Sequence, residues 1–374
     1  MMRRRQLLEI GAVTAAATLV RPGFGEEGLL QHLGSPQDLG SPLSAVGRLL
    51  TPTEVFFVRS HFGPPALDPG RRLQISGLVR KPLSLDAAAL RRFPEVTTTA
   101  VLQCAGNGRA LQAPRVPGVQ WIHGAMGQAT WTGVRLKDVL DRAGILPKSA
   151  HVRLAGADLP PKPSVPAFIR SIPLARALDP GTLIAYRMNG EPLSLAHGAP
   201  FRLIVPGWAG DHWIKWLTDL RVQEAEAEGF YFQTAYRLPI EPVSPGTAVP
   251  PEKTRPLTTF PVKSIIAQPI EGSQRRAGKQ EIVGVAFSGE RAIARVEVSL
   301  DDGATWSAAT LEGEPGAGRW QVFRYAFDAP RPGRQRALVR AVEAGGATQP
   351  QHAAWNPGGY FWNGWHAVSW EVIA

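Results

Sequence analysis

Val101-Leu102-Gln103-Cys104-Ala105-Gly106-Asn107-Gly108-Arg109 holds the only cysteine of the 374-residue chain. The run before it, Val96 to Leu102, is apolar and β-branched, with three threonines. A Gly-Asn-Gly turn follows. A β-rich segment that meets a glycine-punctuated loop predicts a strand ending at Cys104. Gly106 and Gly108 tolerate backbone angles that bulkier residues resist, so the loop can close tightly beside the sulfur. A soft thiolate at a strand end, with the Arg109 guanidinium nearby, suits a metal or an anionic substrate. A small buried core thiol is the competing reading of the same residues.

The start of the chain bears on that choice. Arg3-Arg4-Arg5-Gln6-Leu7-Leu8 precedes an uncharged run of 11 residues, Ile10 to Val20. That length fits the core of a signal peptide and is too short to span a bilayer. Paired arginines ahead of a leucine pair predict a twin-arginine leader over residues 1–25, hence a periplasmic protein. An ordinary secretory signal or an uncleaved anchor is the plainer alternative. A single cysteine cannot form an intrachain disulfide. In an exported protein a lone thiol is an oxidation liability, which favours the ligand reading of Cys104. With no CxxCH motif, no covalent c-type haem is expected in this chain. The formal net charge of +10 suits an anionic ligand or an acidic partner. The chain has no dense Lys/Arg run, zinc-finger spacing or RNP-like motif, so no nucleic-acid partner is expected.

Length suggests two domains after the leader, and 34 prolines with 39 glycines point to many loops and short strands. Over residues 30–245, Glu54 to His61 and Gly70 to Val79 read as strands. Ser84 is the expected cap of a short helix over Leu85 to Arg92, which Pro94 ends. Leu136, Val139, Leu140 and Ala143 follow helical spacing, with Gly144 as the stop. Leu183 to Tyr186, the Asn189-Gly190 turn and the segment to Leu193 read as a hairpin. Phe201 to Val205 reads as a further strand. Mixed strands and helices without a regular βαβ repeat indicate an α+β fold for this unit. Leu238 to Pro261 is proline-rich and reads as an extended linker. Over residues 246–374, short runs alternate at strand period: Glu281 to Phe287, Ile293 to Leu300, Trp320 to Phe327 and Ala337 to Val342. Asp301-Asp302-Gly303 is a hairpin turn with Trp306 on the returning strand. An all-β, immunoglobulin-like sandwich is the expected fold there. Trp355, Tyr360, Phe361, Trp362 and Trp365 fit an interface, a pocket wall or plain core, with core the default reading.

Five separate, ordered segments resemble the sulfite oxidase family of molybdenum enzymes. They are FFVRSH (Phe56 to His61), LQCAGNGR (Leu102 to Arg109), SIPLARALDP (Ser171 to Pro180), HGAPFRLIVPG (His197 to Gly207) and HWIKWL (His212 to Leu217). The likeness is to members without a fused haem domain. It implies a molybdopterin-binding catalytic domain followed by a dimerisation domain, and so a homodimer. It implies that Cys104 ligates molybdenum, that Arg59 and Arg109 line the substrate oxyanion pocket, and that Trp121 and Tyr236 complete it. By the same resemblance Phe57, Arg59, His61, Asp158, His197, Arg202, Trp213, Ile214 and Lys215 hold the pyranopterin. The chemistry is coherent. Soft sulfur ligands suit the metal, Arg202 and Lys215 can pair the pterin phosphate, and arginine offers a planar fork to an oxyanion. The expected function is oxidation of sulfite to sulfate, with electrons passed to a separate acceptor, a cytochrome c. Haem-containing members carry further pocket arginines where this chain has Gly108 and Gly358, which makes the pocket less basic. That departure motivates an alternative, reduction of an S-oxide or N-oxide with the same cofactor. An alternative from another class is a non-catalytic exported protein that binds an anion or a partner.

Overall fold

The computed structural model describes residues 28–34 and 36–374, and the leader expected over 1–25 lies outside the described residues. The strand ahead of Cys104 runs Glu95–Gln103. It pairs antiparallel with Met126–Arg135, from Glu95 opposite Val134 to Gln103 opposite Met126. Leu183–Met188 lies on the other edge of Met126–Arg135 and carries both Glu191–Pro192 and Arg202–Ile204. Asn189 and Gly190 make the connecting turn with φ of 51° and 83°; positive φ at both positions is what an Asn-Gly pair accommodates.

A second sheet is mixed. Its order is Leu83–Leu85, Leu73–Gly77, Leu217–Gln223, His151–Gly156, Ile169–Pro173, with Leu73–Gly77 and Leu217–Gln223 parallel. The two sheets share one apolar core that includes Trp131, Leu154, Ile184, Leu203 and Leu220. The helix Leu136–Ala143 buries Leu136, Val139, Leu140 and Ala143 against it and ends at Gly144, φ 72°. At 8 residues this helix is the longest among the described residues, so the unit is mostly β with few helices, and the α+β label fits it loosely.

Two local expectations are corrected. Glu54 to His61 is not a strand: Thr53–Val55 forms a 3-10 turn, and only Val58 bridges, to Leu39. The apolar residues there face the core from a loop, which mimics strand periodicity. The cap of the short helix Ala87–Leu90 is Asp86, whose carboxylate accepts from the Ala89 amide, because Ser84 is taken into the Leu83–Leu85 strand.

From Lys263 onward the strands form two facing sheets, while Leu30–Gly34 pairs with Gln37–Gly40 as a separate hairpin. One is ordered Lys263–Gln268, Gly278–Phe287, Trp320–Ala329, Thr310–Glu312. The other is ordered Gln274–Arg276, His366–Ile373, Gly333–Glu343, Ile293–Ser299, Ser307–Ala308. Ile282, Phe323, Val296, Val339 and Trp370 fill the space between them. Asp302 and Gly303, φ 56° and 92°, turn the chain from Ile293–Ser299 toward Ser307–Ala308. The linker is less extended than its prolines suggest, since Arg237–Pro239 pairs back on Thr254–Pro256.

The sandwich is seated on the Cys104 strand. Val46, Val101 and Met126 join Phe260, Ile265, Val285, Phe287 and Trp320 in a common buried cluster. The Val101 amide donates to Gly318 O at 2.8 Å, and Gln128 Oε1 accepts from the Trp320 amide at 2.7 Å. Apolar burial with satisfied polar groups across the seam fixes the strand that carries the thiol.

Candidate active site

Cys104 emerges at the end of its strand into a cavity. Its amide donates to Ala125 O at 2.9 Å, and its carbonyl accepts from the Asn107 amide at 3.0 Å. The buried Asn107 side chain closes the loop by accepting from the Ala125 amide at 3.1 Å. Phe57, Arg59, His61, Asp158, His197, Arg202, Trp213, Ile214, Lys215 and Tyr236 line the same cavity as Cys104. Residues far apart in sequence therefore share one cavity with one sulfur.

Arg109 and Trp121 do not line it. Arg109 donates through Nε to Gly358 O and through Nη1 to Val119 O, each at 3.0 Å, and stacks on Tyr360. Its side chain is encased by glycines: a Cβ at Gly106, Gly118 or Gly359 would stand 2.7–2.8 Å from Arg109 atoms. Trp121 is fully buried, with its ring 4.3 Å from His32. Gly108 and Gly358, where the resemblance implies arginine in haem-containing members, are sterically closed. A Cβ would meet Trp362 at 2.7 Å and Tyr360 at 2.1 Å respectively.

The cavity has two chemically different ends. At one end, Arg202 donates to His197 O (3.0 Å) and Trp213 O (3.3 Å), and its Nε is buried without a partner. Burial lowers its guanidinium to about 9, so it stays charged at neutral pH. Lys215 donates to Ala196 O at 2.9 Å. Burial, then repulsion from Arg202, brings its amine down to about 7. His197 is held to about 4 by burial and by Arg202, hence neutral. Neither Arg202 nor Lys215 forms a salt bridge among the described residues. A buried guanidinium with an orphaned N–H and a half-buried amine, neither held in a salt bridge among the described residues, are what a phosphate-bearing group fits.

At the other end lie Arg59, His61 and Tyr236. Arg59 Nη1 pairs with the fully buried Asp38 at 3.2 Å, and Nη2 reaches His61 Nδ1 at 3.4 Å. Burial, then Arg59 and Arg170, pushes the His61 imidazole well below its usual range, so it is neutral. A guanidinium only donates, so Nδ1 accepts and the ring proton stands on Nε2. That Nε2–H then donates to the Tyr236 hydroxyl oxygen at 2.8 Å, which leaves the tyrosine proton free for an acceptor in the cavity. Burial raises the Tyr236 phenol well above its usual range, so it keeps that proton. Burial also raises the Cys104 thiol, while Arg59 and Arg109 pull it down. A thiol so placed needs a cation on its sulfur to hold a thiolate.

Three residues went unnoticed in the sequence. Asp38 lies in the Gln37–Gly40 strand with no motif around it. Arg170 is fully buried, pairs Asp211 Oδ2 at 2.6 Å, donates to His212 Nε2 at 3.1 Å and stacks 5.2 Å from the Tyr236 ring. Asp211 lines the cavity, and burial pushes its carboxyl up to about 6. Arg170 and Asp211 adjoin the quoted segments, so a charged residue flanking a motif was the available signal. Tyr360, taken as core, stacks on Tyr236 at 5.4 Å and accepts its amide on the phenol oxygen at 3.3 Å.

Comparison with known proteins gives this geometry a family. Residues 61–231 match the oxidoreductase molybdopterin binding domain, and residues 254–373 match the Mo-co oxidoreductase dimerisation domain. The chain is 40% identical over 335 residues to mitochondrial sulfite oxidase of Macaca fascicularis, which covers 85% of this chain but only 61% of that protein's length. It is 32% identical over 361 residues to sulfite oxidase of Arabidopsis thaliana, 89% of this chain and 91% of that protein. Among solved structures it is similar to the sulfane dehydrogenase SoxCD of Paracoccus pantotrophus. There the TM-score is 0.78 and the identity 27%, with 97% of this chain and 95% of that one covered. With a thiol at a strand end, two cavity cations in no salt bridge and this extent of shared sequence, the chain belongs to the sulfite oxidase family.

Proposed function

We propose that the protein is a periplasmic molybdenum oxidoreductase that oxidises a sulfur oxyanion, with sulfite to sulfate as the reference reaction. In that reaction sulfite and water give sulfate, two protons and two electrons, and the electrons pass to a separate cytochrome c. The observation that carries this reading is the convergence on Cys104 of an unpaired-cation end, Arg202 and Lys215, and a hydrogen-bonding end, Arg59, His61 and Tyr236.

When bound, the molybdenum cofactor supplies oxygen-atom transfer and takes up the two electrons. The chain's own residues do the rest. Cys104 offers the protein's sulfur to the metal, and Arg202, Lys215 and His197 hold the phosphate end of the pterin. Phe57, Trp213 and Ile214 would wall the pterin off from water, and Asp158 would hold it from beside Lys215. Arg59 orients the oxyanion. Tyr236, fixed by His61, donates its free proton to a substrate oxygen. The two-sheet unit at 254–373 is read as the immunoglobulin-like module of a homodimer.

The test is metal content and turnover measured together. The parent protein should carry about one molybdenum per chain, as expected for one cysteine ligand. Cys104→Ser should lose turnover with sulfite and cytochrome c while its thermal unfolding is nearly unchanged, because a hydroxyl is a poorer ligand for a soft site. Full activity in Cys104→Ser overturns the proposal.

A further inference from the structure

The cations at the two ends of the cavity are treated differently. Arg202 and Lys215 face no carboxylate within salt-bridge distance among the described residues, whereas the arginines around Tyr236 do. Arg59 Nη1 stands 3.2 Å from Asp38 Oδ1, with the Asp38 side chain wholly buried. Arg170 Nη2 stands 2.6 Å from Asp211 Oδ2, with both side chains at most 2% exposed. His212 completes the second pair: it accepts from Arg170 on Nε2 at 3.1 Å, and its Nδ1 lies 3.5 Å from Asp211 Oδ2. Arg170 lies over the face of Tyr236, and Asp211 reaches the cavity wall itself. Arg109 is the remaining cation near the sulfur. It has no carboxylate, but its bonded nitrogens are turned to the carbonyls of Val119 and Gly358.

Resting on the oxidoreductase reading above, we infer that the substrate end of this cavity selects a sulfur compound carrying at most one negative charge, because Asp38 and Asp211 neutralise the arginines that a dianion would need. A dianion entering beside two buried carboxylates meets like charge in a weakly screened interior, where repulsion is strong. A monoanion such as a sulfinate or hydrogen sulfite meets a nearly balanced site, in which the nearest uncompensated cation, Arg109, stands behind the cavity wall on the carbonyls of Val119 and Gly358. Closure of Gly108 and Gly358 by Trp362 and Tyr360 leaves no room for further arginines to reverse that balance. Asp38 and Asp211 are thus specificity residues. They act through the arginines they hold.

The experiment compares two tetrahedral probes of similar shape on the molybdenum-loaded enzyme by calorimetric titration: sulfate, a dianion, and methanesulfonate, a monoanion. In the parent, methanesulfonate should bind at least as tightly as sulfate. Asp211→Asn and Asp38→Asn should each tighten sulfate by about one decade and leave methanesulfonate within a few-fold, since one repelling charge is removed. Arg170→Leu combined with Asp211→Asn removes a whole ion pair and should restore the parental ratio. It also serves if the single variant leaves Arg170 too exposed to folding stress. A parent that prefers sulfate by tenfold or more overturns the inference, as does a ratio unmoved by both single Asp substitutions. Either result leaves the redox proposal standing. An enzyme loaded with molybdenum that shows the predicted ratios yet oxidises neither sulfite nor methanesulfinate fails the redox proposal alone.

Discussion

Tyr236 occupies the left-handed region at φ 55°, an uncommon place for a bulky residue. Its backbone is held there by the Tyr360 hydroxyl on its amide, its ring by Tyr360 on one face and by the Arg170 guanidinium. Strain of this kind at a cavity wall is maintained only where surrounding contacts over-determine it. With His61 as donor to its oxygen, its proton is committed outward. Tyr236→Phe removes that donor and no charge. It should lower kcat for sulfite by about one to two decades, the worth of a hydrogen bond to a charged group, with a smaller change in KM. Steady-state kinetics checks it: a rise in KM at constant kcat would assign the hydroxyl to ground-state binding instead.

At the scale of elements, the site depends on loops that glycine lets close. The Cys104–Arg109 loop turns at Gly108, φ 95°, to enter the 3-10 turn Arg109–Leu111, and the C-terminal segment passes over it with Gly358 against the Tyr360 ring. Putting an arginine at 358, as the sequence resemblance suggests for a more basic pocket, therefore drives a Cβ into Tyr360. That ring supports Tyr236. Gly358→Arg should destabilise the fold by about 1–3 kcal/mol, the usual cost of overpacking, and give no gain in sulfite affinity. Thermal unfolding and KM measure the two parts; tighter sulfite binding at unchanged stability would show that the ring yields. The Glu95–Gln103 strand and the Leu136–Ala143 helix were legible in the sequence because their side chains answer to one period and one stop residue. Glu54 to His61 was misread because tertiary packing, not a ladder, buries Phe56 and Phe57.

Across the whole molecule, the sandwich meets the catalytic unit at a buried basic cluster. Lys263 is 1% exposed, and its Nζ has no hydrogen-bond partner and faces Trp362. His123 and His366 meet edge to face beside it, their ring centres 4.3 Å apart. Burial brings Lys263 down to about 7 and, with Lys263, holds His366 to about 3. Between pH 7 and the ordinary lysine range the unfolded chain binds a proton that the folded chain does not, so stability rises with pH there. Below pH 7 both states are protonated and the cost of the buried charge is complete. Lys263→Met should therefore raise Tm most at pH 6, and the gain should shrink toward pH 10. A gain independent of pH would mean that packing, not charge, was the cause. The proposed export is tested at the same scale. Arg4→Lys with Arg5→Lys should leave the protein in the cytoplasm, because both head the proposed twin-arginine leader. Normal periplasmic recovery in a fractionation assay would point to another route.

The amino-acid sequence by itself determined which chemistry was available. A lone thiol at a strand end, arginines and histidines in ordered segments, and an alternating C-terminal half were readable because each is local or nearly so. Only the tertiary structure decided which cations remain free. Asp38 meets Arg59 across 21 residues and Arg170 meets Asp211 across 41, and no short-range pattern marks either pair. Arg109, adjacent to the cysteine loop, is drawn off the cavity by carbonyls of Val119 and Gly358, the latter 249 residues away. Charge compensation in a buried site depends on separations of a few ångströms in space, and the strength of each pair on its burial. Sequence order carries neither quantity, so the basic pocket suggested by composition became, on folding, a site with one cationic end and one nearly balanced end.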